Sequence, residues 1–210
     1  MGLPLPCLML VTEPSSRLPE IIAAAVAGGV NTVQWREKVR NGAHYRQRCV
    51  SIRKAAGDSV PVLVNGNWEA ALACGARHIH LPEKSLPLGV ARWRLGGNGL
   101  VGKSVHSVEG ALKAQADGAD YLVAGTIYAS LSHPGTAPAG LKFLREVCAA
   151  VKIPVVAIGG VMPENVGECI EAGAAGVAVL SPLMTAENPR EVALAYSTAL
   201  KAALEQAVCC

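Results

Sequence analysis

The sequence predicts a (β/α)8 barrel of the TIM type, a ring of eight parallel strands each followed by a helix, in one domain over residues 1–210. Three observations lead there. A helical stretch closing on small residues and glycine, then a short β-branched strand, recurs at Ala27-Gly28-Gly29-Val30, Ala73-Cys74-Gly75-Ala76, Ala116-Asp117-Gly118-Ala119 and Glu171-Ala172-Gly173-Ala174. The marks stand roughly 45–55 residues apart, the length of two strand-helix units. Further strand-like runs lie between them, which brings the strand total to eight. An open doubly wound sheet is the alternative, but it expects a glycine-rich dinucleotide turn after the first strand. Thr12-Glu13-Pro14-Ser15-Ser16 stands there instead.

In chain order the predicted strands are residues 8–12, 32–35, 60–64, 78–81, 100–105, 121–124, 154–158 and 176–180. The gaps hold apolar-periodic stretches that read as helices over 18–27, 43–55, 68–74, 88–93, 108–116, 142–151, 164–172 and 189–206. Ser107 caps the fifth of these, with Gly110 within reach of its hydroxyl, and Asn188 precedes Pro189 at the first position of the last. One irregular stretch, residues 125–140, is long enough to suggest a functional lid or a disordered insertion.

Composition narrows the function classes. About half the chain is hydrophobic, aromatics are few, and Ala, Val and Gly are abundant, which suits close helix-sheet packing around a sizeable core. The net charge of +3 includes no Lys/Arg run and no basic stripe interleaved with aromatics, so no nucleic-acid partner is expected. Residues 3–11 are too short to span a bilayer and lack the marks of a secretory signal, so a cytoplasmic protein without a membrane partner is expected. The seven cysteines, Cys209 and Cys210 included, are scattered without C-x-x-C or zinc-ligand spacing. Reduced, mostly buried thiols are the expectation.

In such a barrel the chemistry gathers where strands end. The seventh strand ends in Ile158-Gly159-Gly160-Val161 and the eighth in Val179-Leu180-Ser181-Pro182. Paired glycines let backbone amides approach an anion, so Gly159, Gly160, Leu180 and Ser181 are the candidate phosphate-binding residues. At the end of the second strand, alternation puts Gln34, Arg36 and Lys38 on one side, where they can converge on an anionic group. The competing reading is a surface ion-pair cluster in which Glu37 neutralises Arg36. Asn65, in the turn Asn65-Gly66-Asn67, is a candidate ligand contact or a cap. His78 and His80 share a face of the fourth strand; a packed interior His80 with a peripheral His78 is favoured over a metal pair. The fifth strand delivers His106 between Ser104 and Ser107, a base placed at the mouth with no carboxylate dyad or Cys/His pair apparent beside it.

These motifs, taken in order, resemble the thiamine phosphate synthase and TenI superfamily over nearly the whole chain. They are Val33-Gln34-Trp35-Arg36-Glu37-Lys38, Val64-Asn65-Gly66-Asn67, His80-Leu81-Pro82, Gly102-Lys103-Ser104-Val105-His106-Ser107, Asp120-Tyr121-Leu122-Val123-Ala124-Gly125, Ile158-Gly159-Gly160 and Val179-Leu180-Ser181. In the synthase branch the resemblance implies Asn-Asp-Arg after the third strand and Gly-Gln-x-Asp after the fourth, with the two aspartates holding Mg²⁺ on a pyrophosphate leaving group. Here those positions are Gly66 and Ser85, and the hydroxyl-rich Pro-Thr-x-Thr-Lys loop is represented by Ala129-Ser130-Leu131-Ser132-His133.

The resemblance is therefore closest to the TenI branch. It implies a metal-independent thiazole tautomerase, an isomerase of thiamine biosynthesis that needs no cofactor, acting on a phosphorylated thiazole carboxylate. It implies His106 as the catalytic base and acid, and Gln34, Arg36, Lys38, Asn65, Ser104 and Ser130 as substrate contacts. A homodimer and thiazole synthase are the implied candidate protein partners. The alternatives left open are a Mg²⁺-dependent thiamine phosphate synthase with an altered metal site, a non-catalytic regulatory or binding protein, and another phosphosugar barrel isomerase.

Overall fold

The computed structural model describes residues 2–37, 42–73, 75–130, 135 and 137–208. Its strands are β1 (Cys7–Val11), β2 (Thr32–Trp35), β3 (Val62–Asn65), β4 (His78–Leu81), β5 (Val101–Val105), β6 (Tyr121–Gly125), β7 (Val155–Ile158) and β8 (Gly176–Val179). They close into a barrel in sequence order, β8 pairing with β1 in parallel through Leu8 opposite Val177. The helices are α1 (Leu18–Ala27), α2 (Gly42–Ala56), α3 (Trp68–Ala73), α4 (Leu88–Arg94), α5 (Val108–Ala116), α6 (Gly140–Ala150), α7 (Val166–Glu171), α8 (Ser181–Met184) and α9 (Pro189–Val208). The expected barrel is present, and each predicted strand lies within a residue or two of the observed one.

Two features depart from the expected elements. The helix expected from residue 164 opens as a 3-10 turn over Pro163–Asn165, because Pro163 has no amide hydrogen to extend a helix backward. The chain after β8 forms α8, a single turn with Pro182 near its start, where only a loop was expected. Predicted caps hold elsewhere: Ser107 Oγ accepts from Gly110 N at 3.0 Å, and Asn188 Oδ1 accepts from Glu191 N at 3.4 Å.

Buried residues form two clusters, one between sheet and helices and one inside the ring. The inner one is built from Cys7, Met9, Val11, Leu63, Tyr121, Val123, Val156 and Ala178, every second residue of its strands. The Tyr121 ring fits because Gly102 on β5 has no side chain; a Cβ there would stand 2.1 Å from the ring. Polar groups also enter the interior. His80 is buried, with Nδ1 2.9 Å from Tyr121 Oη and Nε2 2.8 Å from Ser104 Oγ, as the packed-interior reading expects. Burial, with a smaller push from the Lys103 charge, depresses the His80 pKa to about 3, so the ring is neutral near pH 7 and is satisfied on both nitrogens. The peripheral His78 accepts a hydrogen bond from Leu100 N at 3.0 Å.

Among the described residues Cys7, Cys49, Cys148 and Cys169 are free thiols, and no helix is long and apolar enough to cross a membrane. Lys38, residues 131–134 of the long loop, Cys74 and the terminal Cys209 and Cys210 lie outside the described residues.

Candidate active site at the barrel mouth

A cavity of about 910 Å³ opens where the strands end. Val11, Val123, Ile158 and Ala178 form its apolar floor, and polar groups stand around the rim. Of the residues expected from sequence, Gln34, Arg36, Asn65, Ser104, His106, Ser130, Gly159, Gly160, Leu180 and Ser181 all line it. Strand register explains this convergence. Inward positions of neighbouring parallel strands reach one height, so the end of each strand contributes to a common ring.

On the β7–β8 side the wall is largely backbone. Gly159 and Gly160 have φ of +99° and +64°, conformations that glycine adopts without penalty. A Cβ on Gly160 would lie 2.3 Å from the Ala129 carbonyl oxygen, and one on Gly159 would lie 2.3 Å from Thr126 Cγ2. The loop after β6 is laid directly on this turn: Ile127 N donates to Ile158 O at 2.9 Å and Tyr128 N to Gly159 O at 2.8 Å. Leu180 and Ser181 complete the wall where α8 begins. Glycine turns after the seventh strand, together with a short extra helix after the eighth, make the arrangement by which barrels of this kind bind phosphate.

The β2–β5 side is made of side chains. Asn65 Nδ2 donates to Gln34 Oε1 at 2.7 Å, which fixes both amides. Arg36 N donates to Thr12 Oγ1 at 3.0 Å, anchoring the end of β2, and the guanidinium has no ion pair among the described residues. The ion-pair alternative for this segment does not hold. Glu37 takes hydrogen bonds from Arg48 Nε at 2.9 Å and Trp35 Nε1 at 3.0 Å, leaving Arg36 to the cavity.

His106 stands at the rim with its side chain 58% exposed, and its Nδ1 lies 3.1 Å from Glu83 Oε2. Sequence reasoning missed this pairing. The two residues come from the ends of different strands, and only the closure of the barrel brings them together. If Nδ1 carries the hydrogen bonded to Glu83, Nε2 is the nitrogen left for a ligand.

The synthase resemblance implies magnesium, and the side chains do not fit it. Glu83 is the one carboxylate among the described cavity residues, and among the described residues no group of three or more His, Cys, Asp or Glu side chains could hold a metal. The two positions matching the family's aspartates are Gly66 and Ser85, and Lys103 Nζ donates to Ser85 Oγ at 2.8 Å. The Ser85 hydroxyl is thus engaged by a lysine, and neither matched position supplies the anionic oxygen that a hard divalent ion needs. Burial lowers the Lys103 pKa and the Glu83 charge opposes that shift.

A closed parallel barrel whose mouth holds a glycine-backbone wall on one side and Arg36, Glu83 and His106 on the other defines a TIM-barrel protein with a polar-rimmed cavity at its strand ends. Comparison with known proteins narrows the class. Residues 8–183 match the family described as thiamine monophosphate synthase, and the chain belongs to that family. Thiamine-phosphate synthase from Shouchella clausii is 36% identical over 197 residues, covering 93% of this chain and 92% of that protein. Thiamine-phosphate synthase from Synechocystis sp. is 37% identical over 194 residues, and the chain spans 57% of its length. The solved thiamine phosphate pyrophosphorylase from Pyrococcus furiosus superposes with a TM-score of 0.84 at 31% identity, covering 94% of this chain and 96% of that one.

These relatives correct the expected activity. The two sequence relatives are named as synthases, which are transferases, and the reading as a thiazole tautomerase, an isomerase, is withdrawn. The physical reason is that Asn65-Gly66, Leu81-Pro82 and Ser104-Val105-His106-Ser107 are short loop motifs compatible with either reaction. These motifs and the two missing carboxylates, which together favoured the isomerase, concern a few loop positions, whereas the likeness to synthases extends over most of the fold.

Proposed function

We propose that this chain is a transferase that joins a thiazole phosphate to a pyrimidine carried on a pyrophosphate leaving group, yielding thiamine phosphate. The observation that carries the reading is the family match over residues 8–183, with synthase relatives at 36–37% identity over more than nine-tenths of the chain. The cavity supports it: about 910 Å³ is ample for two small ligands, with anion-binding features on opposite walls.

In this reading Gly159, Gly160, Leu180 and Ser181 hold the thiazole phosphate, and the apolar floor seats its ring. Arg36 faces the pyrophosphate, assisted by the hydroxyl of Ser130, while Gln34, Asn65 and Ser104 orient the pyrimidine. The thiazole nitrogen attacks the pyrimidine methylene carbon. A C–N bond forms as the C–O bond breaks, and the electron pair leaves with the pyrophosphate oxygen. His106 donates a proton from Nε2 to that oxygen and recovers one from water, with Glu83 holding the ring through Nδ1. No step runs through a metal.

The test is pyrophosphate release by the purified protein. Release when both substrates are present, and none with either alone, is expected. Release from the pyrimidine pyrophosphate alone at the same rate would mark a hydrolase and overturn the reading.

A further inference from the structure

A second cavity, of about 470 Å³, lies at the other end of the barrel, between the last turns of α2 and the segments leading into β3 and β4. Arg53, Lys54, Arg77 and His78 line it, and Asp58 is the one carboxylate in its lining. None of the three permanent cations has an ion pair among the described residues. From the geometry we infer that this groove is an anion-binding site, distinct from the mouth, for a small phosphate- or diphosphate-bearing molecule.

Helix polarity accounts for only part of the arrangement. Arg53 and Lys54 sit in the last turn of α2, where cations complement the helix dipole. Arg77 and His78 belong to another element, and bringing them to the same groove adds like charge that Asp58 alone faces, without an ion pair to any of the three cations among the described residues. The His78 pKa is lowered chiefly by burial, next by the positive charge of the chain's N-terminus, and then by the charges of Arg53 and Arg77. Because His78 Nδ1 accepts from Leu100 N, the neutral ring carries its hydrogen on Nε2, so it too is a donor.

The floor is permissive as well. Gly57 and Gly75 have no atom within 4 Å of a hypothetical Cβ, which leaves backbone open to a ligand. Two guanidinium groups suit bidentate phosphate contact, and the volume admits a phosphate with a small ring attached. The groove takes no part in the chemistry proposed for the mouth, and the inference stands independently of it.

The test is a titration of the full chain with inorganic pyrophosphate, followed by amide and imidazole NMR, in parallel with sodium sulfate at matched ionic strength. The expected result is saturable shifts at Gly57, Arg77 and the His78 ring, separate from those at Gly159 and Gly160, with the His78 pKa rising on saturation. In the Arg53→Ala/Arg77→Ala protein the groove shifts should weaken at least tenfold, while the mouth shifts and the transfer activity stay unchanged. Shifts confined to the mouth, an equal response to sulfate, or a double variant that titrates like the native chain would each overturn the inference.

Discussion

On the β7–β8 side of the mouth the chain presents glycine backbone and the start of a one-turn helix, whereas the β2–β5 side presents Arg36, Asn65, Glu83, Ser104 and His106. The first wall is rigid by construction. Its shape depends on two positive φ angles and on a neighbouring loop packed so closely that no Cβ fits. The second wall is adjustable, because its charges sit on side chains that can be exchanged without disturbing the barrel. The difference teaches which wall a substitution would deform and which it would only recharge. A wall made of backbone tolerates little change, while the opposite wall carries Arg36, and beside it Gly66 and Ser85 stand at the two matched aspartate positions.

The sharpest way to break the rigid wall is Gly160→Val. The new side chain meets the Ala129 carbonyl, and losing two charge-assisted hydrogen bonds at about 1.5–3 kcal/mol each lowers kcat/KM roughly 1000-fold. Steady-state kinetics with the thiazole phosphate varied, alongside circular dichroism to verify folding, would check it.

On the adjustable wall, His106→Ala should lower kcat by roughly 100-fold, the lower end of what a positioned proton donor supplies. Glu83→Gln keeps a hydrogen-bond acceptor but removes the charge, so the loss should be nearer tenfold and should reshape the pH-rate profile. Arg36→Ala removes one charge-assisted contact and should raise KM for the pyrimidine pyrophosphate by roughly 10-fold, with KM for the thiazole phosphate unchanged. An equal rise in both KM values would contradict the division of labour between the walls.

How far the sequence revealed this molecule follows the same division. The strands were legible because each is a short apolar run between glycine-marked helix ends, and the β7–β8 wall of the cavity was legible because Gly159-Gly160 and Leu180-Ser181 each lie in one contiguous segment. The Glu83–His106 pair was not legible. Its members are 23 residues apart and meet only because β4 and β5 are neighbours in the ring. Helix α8 was hidden by its length, four residues with Pro182 among them, too short for any period to show. The reaction class was misjudged for a related reason. Two absent carboxylates are conspicuous in a sequence, but they say what one wall lacks and nothing of what the rest of the cavity binds.

A smaller effect probes the layer beneath the adjustable wall. The His80 pKa, about 3 when folded against an ordinary value of 6.5, means that the unfolded chain binds more protons between those limits. Its contribution to stability is therefore full above about pH 6.5 and falls as the pH drops toward 3, with a slope approaching about 1.4 kcal/mol per pH unit. Urea unfolding between pH 7 and about pH 4 should show this slope in the native chain and a weaker one in His80→Gln. The smallest expected effect is a gain. Gly66→Asp with Ser85→Asp should make turnover rise with added Mg²⁺, the strain of a side chain at φ +72° limiting the benefit to a few-fold.

The most direct measurement is thiamine phosphate itself, quantified by oxidation to a fluorescent product after incubating the native chain with the pyrimidine pyrophosphate and the thiazole phosphate. The account predicts stoichiometric product, one per pyrophosphate released, lost in Gly160→Val and diminished in His106→Ala. No product from the folded native chain at any metal concentration would contradict it.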